Sequence, residues 1–220
     1  MTARRLLGFA RRLGAARRGV AMLEFALIAP LFLAMAMTTI ELGYYVLANN
    51  RVQRLATMTA DLVAQSGNGN TGAGEGQIYD LFSAIDLTAR PFDLRNHGRV
   101  VITGMRGTDT NNDKVIENTI LWQRFDGAFV DAVPLVGCNL KTSYATLPNG
   151  RILPLNEVLF HVQVSYRYQP IFSLTPMGFF KLPTEFTRTT MFRARSGDFQ
   201  SPTPDSKFPE KKNCNTATGL

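Results

Sequence analysis

The longest uninterrupted pattern in the chain is apolar. From Phe25 to Leu47, 23 residues carry no charge except Glu41, and their only other polar groups are the hydroxyls of Thr38, Thr39, Tyr44 and Tyr45. A helix of that length reaches about 34 Å, enough to cross the hydrocarbon core of a bilayer. The pattern then becomes amphipathic. Val52, Leu55, Ala56, Thr59, Leu62 and Val63 recur every three to four residues, with Arg51, Arg54, Thr57 and Asp61 on the other side. This spacing predicts that one helix continues to Gln65 and lays an apolar stripe on a folded body.

Ser66 to Gly76 is rich in Gly and Asn and ends the helical pattern. It lacks the Gly-Lys-Ser/Thr ending of a phosphate-binding loop. Ile78, Leu81, Phe82 and Ile85 then predict a short second helix. Beyond it the period shortens to two. Arg99–Arg106 and Lys114–Trp122 flank an Asn- and Asp-rich stretch and predict a hairpin. Val158–Tyr168 alternates most clearly, with Val158, Phe160, Val162, Val164, Tyr166 and Tyr168 on one face. His161 falls on the polar face and reads as an exposed or edge residue. Pro148-Asn149-Gly150 is a turn, and a last strand is expected near Thr184–Ala194.

The fold class that follows is α+β, a long N-terminal helix packed on an antiparallel sheet. The expected divisions are a basic leader over 1–19, the membrane-spanning and extended helix over 20–65, a Gly-rich linker over 66–76, an α+β domain over 77–196, and a tail over 197–220 that is mobile unless Cys214 is tethered.

Charge changes the picture at one end only. The net charge is +7, and Arg4, Arg5, Arg11, Arg12, Arg17 and Arg18 supply six of those charges before residue 20. The body is nearly neutral, so the basic balance gives no argument for nucleic acid. Arginines ahead of an apolar span instead place the N-terminus in the cytoplasm and the body across the membrane. A cleaved secretory signal fits poorly, because its apolar core is shorter and a small-residue cleavage site follows it. Ala48-Asn49-Asn50 is a poor candidate for such a site.

Glu24 stands at the mouth of the span, where a carboxylate is costly and calls for a partner. Cleavage after Gly19 would create one, the α-amine of Val20, one helical turn away or on a neighbouring subunit. Pro30 removes a backbone donor and would kink or loosen the helix, or is simply tolerated there. Glu41 either marks a polar helix contact or snorkels towards the outer interface, and snorkelling is the favoured reading.

Gly19, four residues and Glu24, then a long apolar helix, resembles the prepilin-peptidase site of type IV pilins and pseudopilins. The wider Gly19–Leu33 segment, with Glu24-Phe25-Ala26 and Pro30, resembles the TadE-like proteins of tight-adherence (Flp) pilus systems. The resemblance implies cleavage between Gly19 and Val20 and an assembly role for Glu24. It also implies a bacterial inner-membrane location, with the body periplasmic and a route into an extracellular pilus. The implied partners are the prepilin peptidase, other pilus-assembly subunits and the lipid bilayer. Many type IV pilins carry Phe where this chain has Val20, which leaves N-methylation open.

No enzyme reading emerges. The two histidines, His97 and His161, accompany no nucleophile motif. Asp109, Asn111 and Asp113 match the first positions of a calcium loop, but Lys114 and Ile120 occupy the Gly and Glu positions. No cofactor, metal, small-molecule substrate or nucleic acid is expected. Cys138 and Cys214 either pair, the simplest use in an exported body, or remain two thiols. The alternative function is an uncleaved single-pass anchor carrying a periplasmic binding or adhesion domain.

Overall fold

A computed structural model describes residues 17–66, 74–172, 183–195 and 201–220. Most of the basic leader, the centre of the Gly-rich stretch and the start of the tail lie outside the described residues. The architecture is α+β, with one long N-terminal helix and a four-stranded antiparallel sheet. The chain divides after Tyr45. One unit holds the helix up to that point together with Pro170–Phe172, and the other holds the remainder.

Helix α1 runs over Arg17–Ser66. In the second unit its buried residues are Ala48, Val52, Leu55, Ala56, Thr59, Ala60, Val63 and Ala64. Most of the predicted stripe is therefore buried, joined by three alanines, Ala48, Ala60 and Ala64. Leu62 lies outside it, exposed. Helix α2 (Glu75–Ala89) buries Ile78, Phe82 and Ile85, and the short α3 (Leu94–His97) leads directly into the sheet.

Strands β1 (Gly98–Thr108), β2 (Glu117–Asp126), β3 (Val158–Arg167) and β4 (Glu185–Arg193) lie in the order β2-β1-β3-β4. The hairpin forms, but its second strand begins at Glu117 rather than Lys114. Lys114 has φ of 66°, and the Asp109 and Asp113 carboxylates accept the N–H groups of Lys114 and Val115. These carboxylates build the turn and delay the strand. Gly104 sits at the register shift between β1 and β2, and a Cβ there would lie 2.6 Å from the Trp122 indole nitrogen. The glycine makes room for the ring.

The helices cover one sheet face. Arg188 on β4 donates to Asn49 on α1 at 2.9 Å, and Arg124 on β2 pairs with Glu75 on α2. The opposite face is also covered, by the long β2–β3 connection and the C-terminal segment. Gln123 holds the connection through the Gly137 carbonyl and the Asn139 N–H, at 2.9 and 3.0 Å. Gln163 does the same with the Val133 carbonyl and the Leu135 N–H, at 3.0 and 2.8 Å. Polar strand residues are buried here because backbone groups from the loop satisfy them.

This covering layer corrects the reading of His161. The residue is 1 % exposed and belongs to β3, an inner strand paired on both sides. It is neither exposed nor at an edge. Its face looked like a solvent face only because the loop above it has no periodic pattern.

Cys138 and Cys214 are joined by a disulfide. Val101 and Phe125 pack with the bridge in one buried cluster. Cys214 is thus tethered, and the described part of the tail is bound to the sheet. The Phe125 N–H donates to the Lys211 carbonyl at 2.8 Å, and the Gly127 N–H to that of Ala217 at 2.9 Å. Ser143 and Ala145 pair similarly with Ile120 and Asn118. The outer edge of β2 is therefore occupied rather than left open to another chain.

Candidate processing and assembly segment

Residues from Gly19 to Ile40 form a helix that presents apolar side chains on every side, with Glu24 its one charged residue. Val20, Leu23, Phe25, Leu27, Ile28, Leu31, Phe32 and Met35 are all exposed. The most apolar 18-residue window of this helix has a mean hydropathy of 2.2, and none of it is buried. Such a surface is not stable in water and requires lipid or neighbouring apolar helices.

Its two threonine hydroxyls are satisfied locally. The Thr38 hydroxyl donates to the Ala34 carbonyl at 2.8 Å, and that of Thr39 to Met35 at 2.9 Å. Pro30 lies inside the helical run and leaves the Ala26 carbonyl without its usual partner. In a membrane such a group is met by neighbouring helices, side chains or water.

The structure places Gly19, Val20 and Glu24 together in the first turns of α1. Val20 and Glu24 are one turn apart on the same side, separated by about 6 Å along the axis. Glu24 is exposed. The helix is continuous through the Gly19–Val20 bond, so a protease needing extended backbone must unwind the first turn. Gly19 eases that step, since glycine disfavours helix by roughly 1 kcal/mol relative to Ala. Packing does not require this glycine, for a Cβ at position 19 would meet nothing within 4 Å. The disulfide cysteines lie in the other unit and take no part in this segment.

Glu41 differs from the snorkelling expectation. It is 3 % exposed, and its Oε2 accepts the backbone N–H groups of both Ile171 and Phe172 at 3.0 Å. A carboxylate that has two donors from its own chain has no reason to reach for water. The sequence showed a charge out of place in an apolar run but gave no means of finding its donors 130 residues away.

In the sheet unit two buried groups have shifted protonation. Burial pushes the His161 imidazole down to about 4, and burial likewise lowers the Arg99 guanidinium. Arg99 is fully buried over the Phe125 ring and donates to the Cys214 carbonyl at 2.7 Å. Among the described residues neither is paired with a nucleophile or acid of the kind general acid–base catalysis uses. Among the described residues no group of three or more His, Cys, Asp or Glu could hold a metal ion.

The geometry is that of a chain with one N-terminal apolar helix, suited to a single membrane pass, carrying a disulfide-closed α+β unit. Residues 19–61 match the family model described as TadE-like protein. The matched segment contains Gly19, Val20, Glu24, Pro30 and Glu41, so the likeness is to the apolar helix and its amphipathic continuation. No curated protein and no solved structure matches the chain.

Proposed function

We propose that this protein is a minor, pseudopilin-like structural subunit of a tight-adherence (Flp) pilus assembly system. It is inserted in the inner membrane with residues 1–19 cytoplasmic and the α+β unit periplasmic. Prepilin peptidase removes the leader after Gly19. The freed amine of Val20 then pairs with Glu24, on the same helix or a neighbouring one, and sets the axial register of packed helices. A minor or priming role fits better than that of a major pilin, because the major pilins of these systems are much smaller chains.

The observation that carries the reading is an exposed, strongly apolar helix within the TadE-like segment, opened by a glycine that packing does not need. The arginine-rich arm before it supports the orientation.

The test is intact-mass analysis of membrane-purified protein with and without an active prepilin peptidase. The peptidase should remove residues 1–19 from the wild type and leave Gly19→Ala at full length. Glu24→Ala should still be cut but should no longer copurify with assembly partners. A wild-type chain that keeps its leader in the presence of the peptidase refutes processing and leaves an uncleaved anchor.

A further inference from the structure

Glu41 stands in the last stretch of the apolar run, three to four residues before Tyr44 and Tyr45. If those tyrosines mark the outer membrane–water interface, Glu41 lies about 5 Å deeper. Its carboxylate is buried by its own chain, and one oxygen, Oε2, accepts the N–H groups of two successive residues, Ile171 and Phe172. Those residues belong to the connection between β3 and β4, and Pro170–Phe172 group with the apolar helix rather than with the sheet.

We infer that Pro170–Phe172, which follow β3, form a second membrane contact, held in the outer interface of the bilayer by Glu41. The structure fixes backbone N–H groups of that segment at hydrogen-bond distance from a side chain of the spanning helix. Whatever depth Glu41 takes, Ile171 and Phe172 take with it. Ile171 is 51 % exposed, and Pro170 beside it has no N–H to satisfy. An exposed Ile next to Pro, level with the last apolar turn, suits the boundary between acyl chains and headgroups. The carboxylate makes this placement tolerable for the backbone, since an N–H left unpaired near hydrocarbon is strongly unfavourable. The hydrogen bonds also satisfy Glu41. The partner is the lipid surface itself, and the inference rests on the membrane-spanning reading of α1.

Full-length protein in phosphatidylcholine–phosphatidylglycerol vesicles provides the test, using lipids brominated at shallow or deep acyl positions. Trp122 is the only tryptophan and is buried in the sheet, so the parent chain supplies the background. Ile171→Trp should add fluorescence that shallow bromines quench at least twofold more strongly than deep ones. Met35→Trp, near the middle of the span, should show the opposite order. Glu41→Ala combined with Ile171→Trp should cut the shallow quenching at least twofold, whereas Glu41→Gln, which keeps an acceptor oxygen, should retain most of it.

If the added fluorescence of Met35→Trp is not quenched, the spanning reading fails and the interfacial contact fails with it. If Met35→Trp is quenched and Ile171→Trp is not, the interfacial contact alone is refuted. That includes the case in which the indole introduced by Ile171→Trp is also shielded from aqueous iodide, because a protein neighbour then covers it. Quenching of Ile171→Trp that is undiminished by Glu41→Ala refutes the anchoring role.

Discussion

His161 makes the sheet unit sensitive to mild acid. Its ring is 1 % exposed, and neither nitrogen has a hydrogen-bond partner among the described residues. Thr103 on β1 and Met191 on β4 stand directly across from it, so no carboxylate faces it from the paired strands. Burial holds the imidazole neutral down to about 4, against 6.5 for a solvated histidine. Between those values the unfolded chain binds a proton that the folded chain refuses, so stability falls as pH is lowered. The contribution is complete above about pH 6.5. By linkage about 2 kcal/mol is lost at pH 5, and about 3 kcal/mol once pH passes below 4. His161→Leu keeps the volume roughly constant and removes the titration. It should change stability at pH 7.5 by no more than about 1 kcal/mol. The assay is urea unfolding of the full chain in detergent, followed by Trp122 fluorescence, at pH 7.5 and pH 5. Other carboxylates titrate equally in both proteins, so the difference between the two pH-dependent losses isolates the imidazole. Parallel losses in wild type and His161→Leu would refute a buried neutral imidazole.

Two further predictions concern the same unit. Arg124 and Glu75 form a buried ion pair with Nε 3.0 Å from Oε1, and Glu210 lies 3.8 Å from the same guanidinium. Glu75→Ala should cost about 3–5 kcal/mol in urea unfolding by stranding a buried charge. The double variant Glu75→Met with Arg124→Met should recover most of that loss. The Cys138–Cys214 bond closes a loop across a sequence separation of 76 residues. Replacing both cysteines by Ala should lower stability by roughly 2–4 kcal/mol. It should also expose residues 201–220 to limited proteolysis, a change visible by mass spectrometry.

The helix, the hairpin and the central strand were legible because each carries a strong period. Leu55, Ala56, Thr59 and Val63 announce a helical face without reference to anything distant, and Val158 to Val164 announce a strand. The layer over the second sheet face was not legible. It is held by Gln123 and Gln163 bonding to loop backbone, and an irregular loop leaves no periodic trace in the sequence. The same cause hid the burial of His161. The Glu75–Arg124 pair joins residues 49 apart, and each looks like an ordinary surface charge on its own. At the candidate site Gly19, Val20 and Glu24 could be picked out because they are local and odd in composition. The donors to Glu41 could not, because they come from a different part of the chain.

Glu24 and Glu41 put two carboxylates on one apolar helix, and their surroundings differ in a way that assigns them different work. A carboxylate near hydrocarbon needs donors, and the source of those donors decides when it is satisfied. Glu41 takes its donors from the backbone at Ile171 and Phe172, so it is satisfied as soon as the chain has folded. Glu24 stands exposed at the start of the helix, one turn from Val20. While the Gly19–Val20 bond is intact, the Val20 nitrogen is an uncharged amide and offers Glu24 no cation. Hydrolysis of that bond turns the same nitrogen into an ammonium group within reach. Glu41 thus belongs to the fold of the single chain, and under the proposed function Glu24 would be held in reserve for the processed state. The two should then separate cleanly by experiment, with Glu41 variants moving Ile171 and Phe172 without altering cleavage, and Glu24 variants leaving those two residues in place.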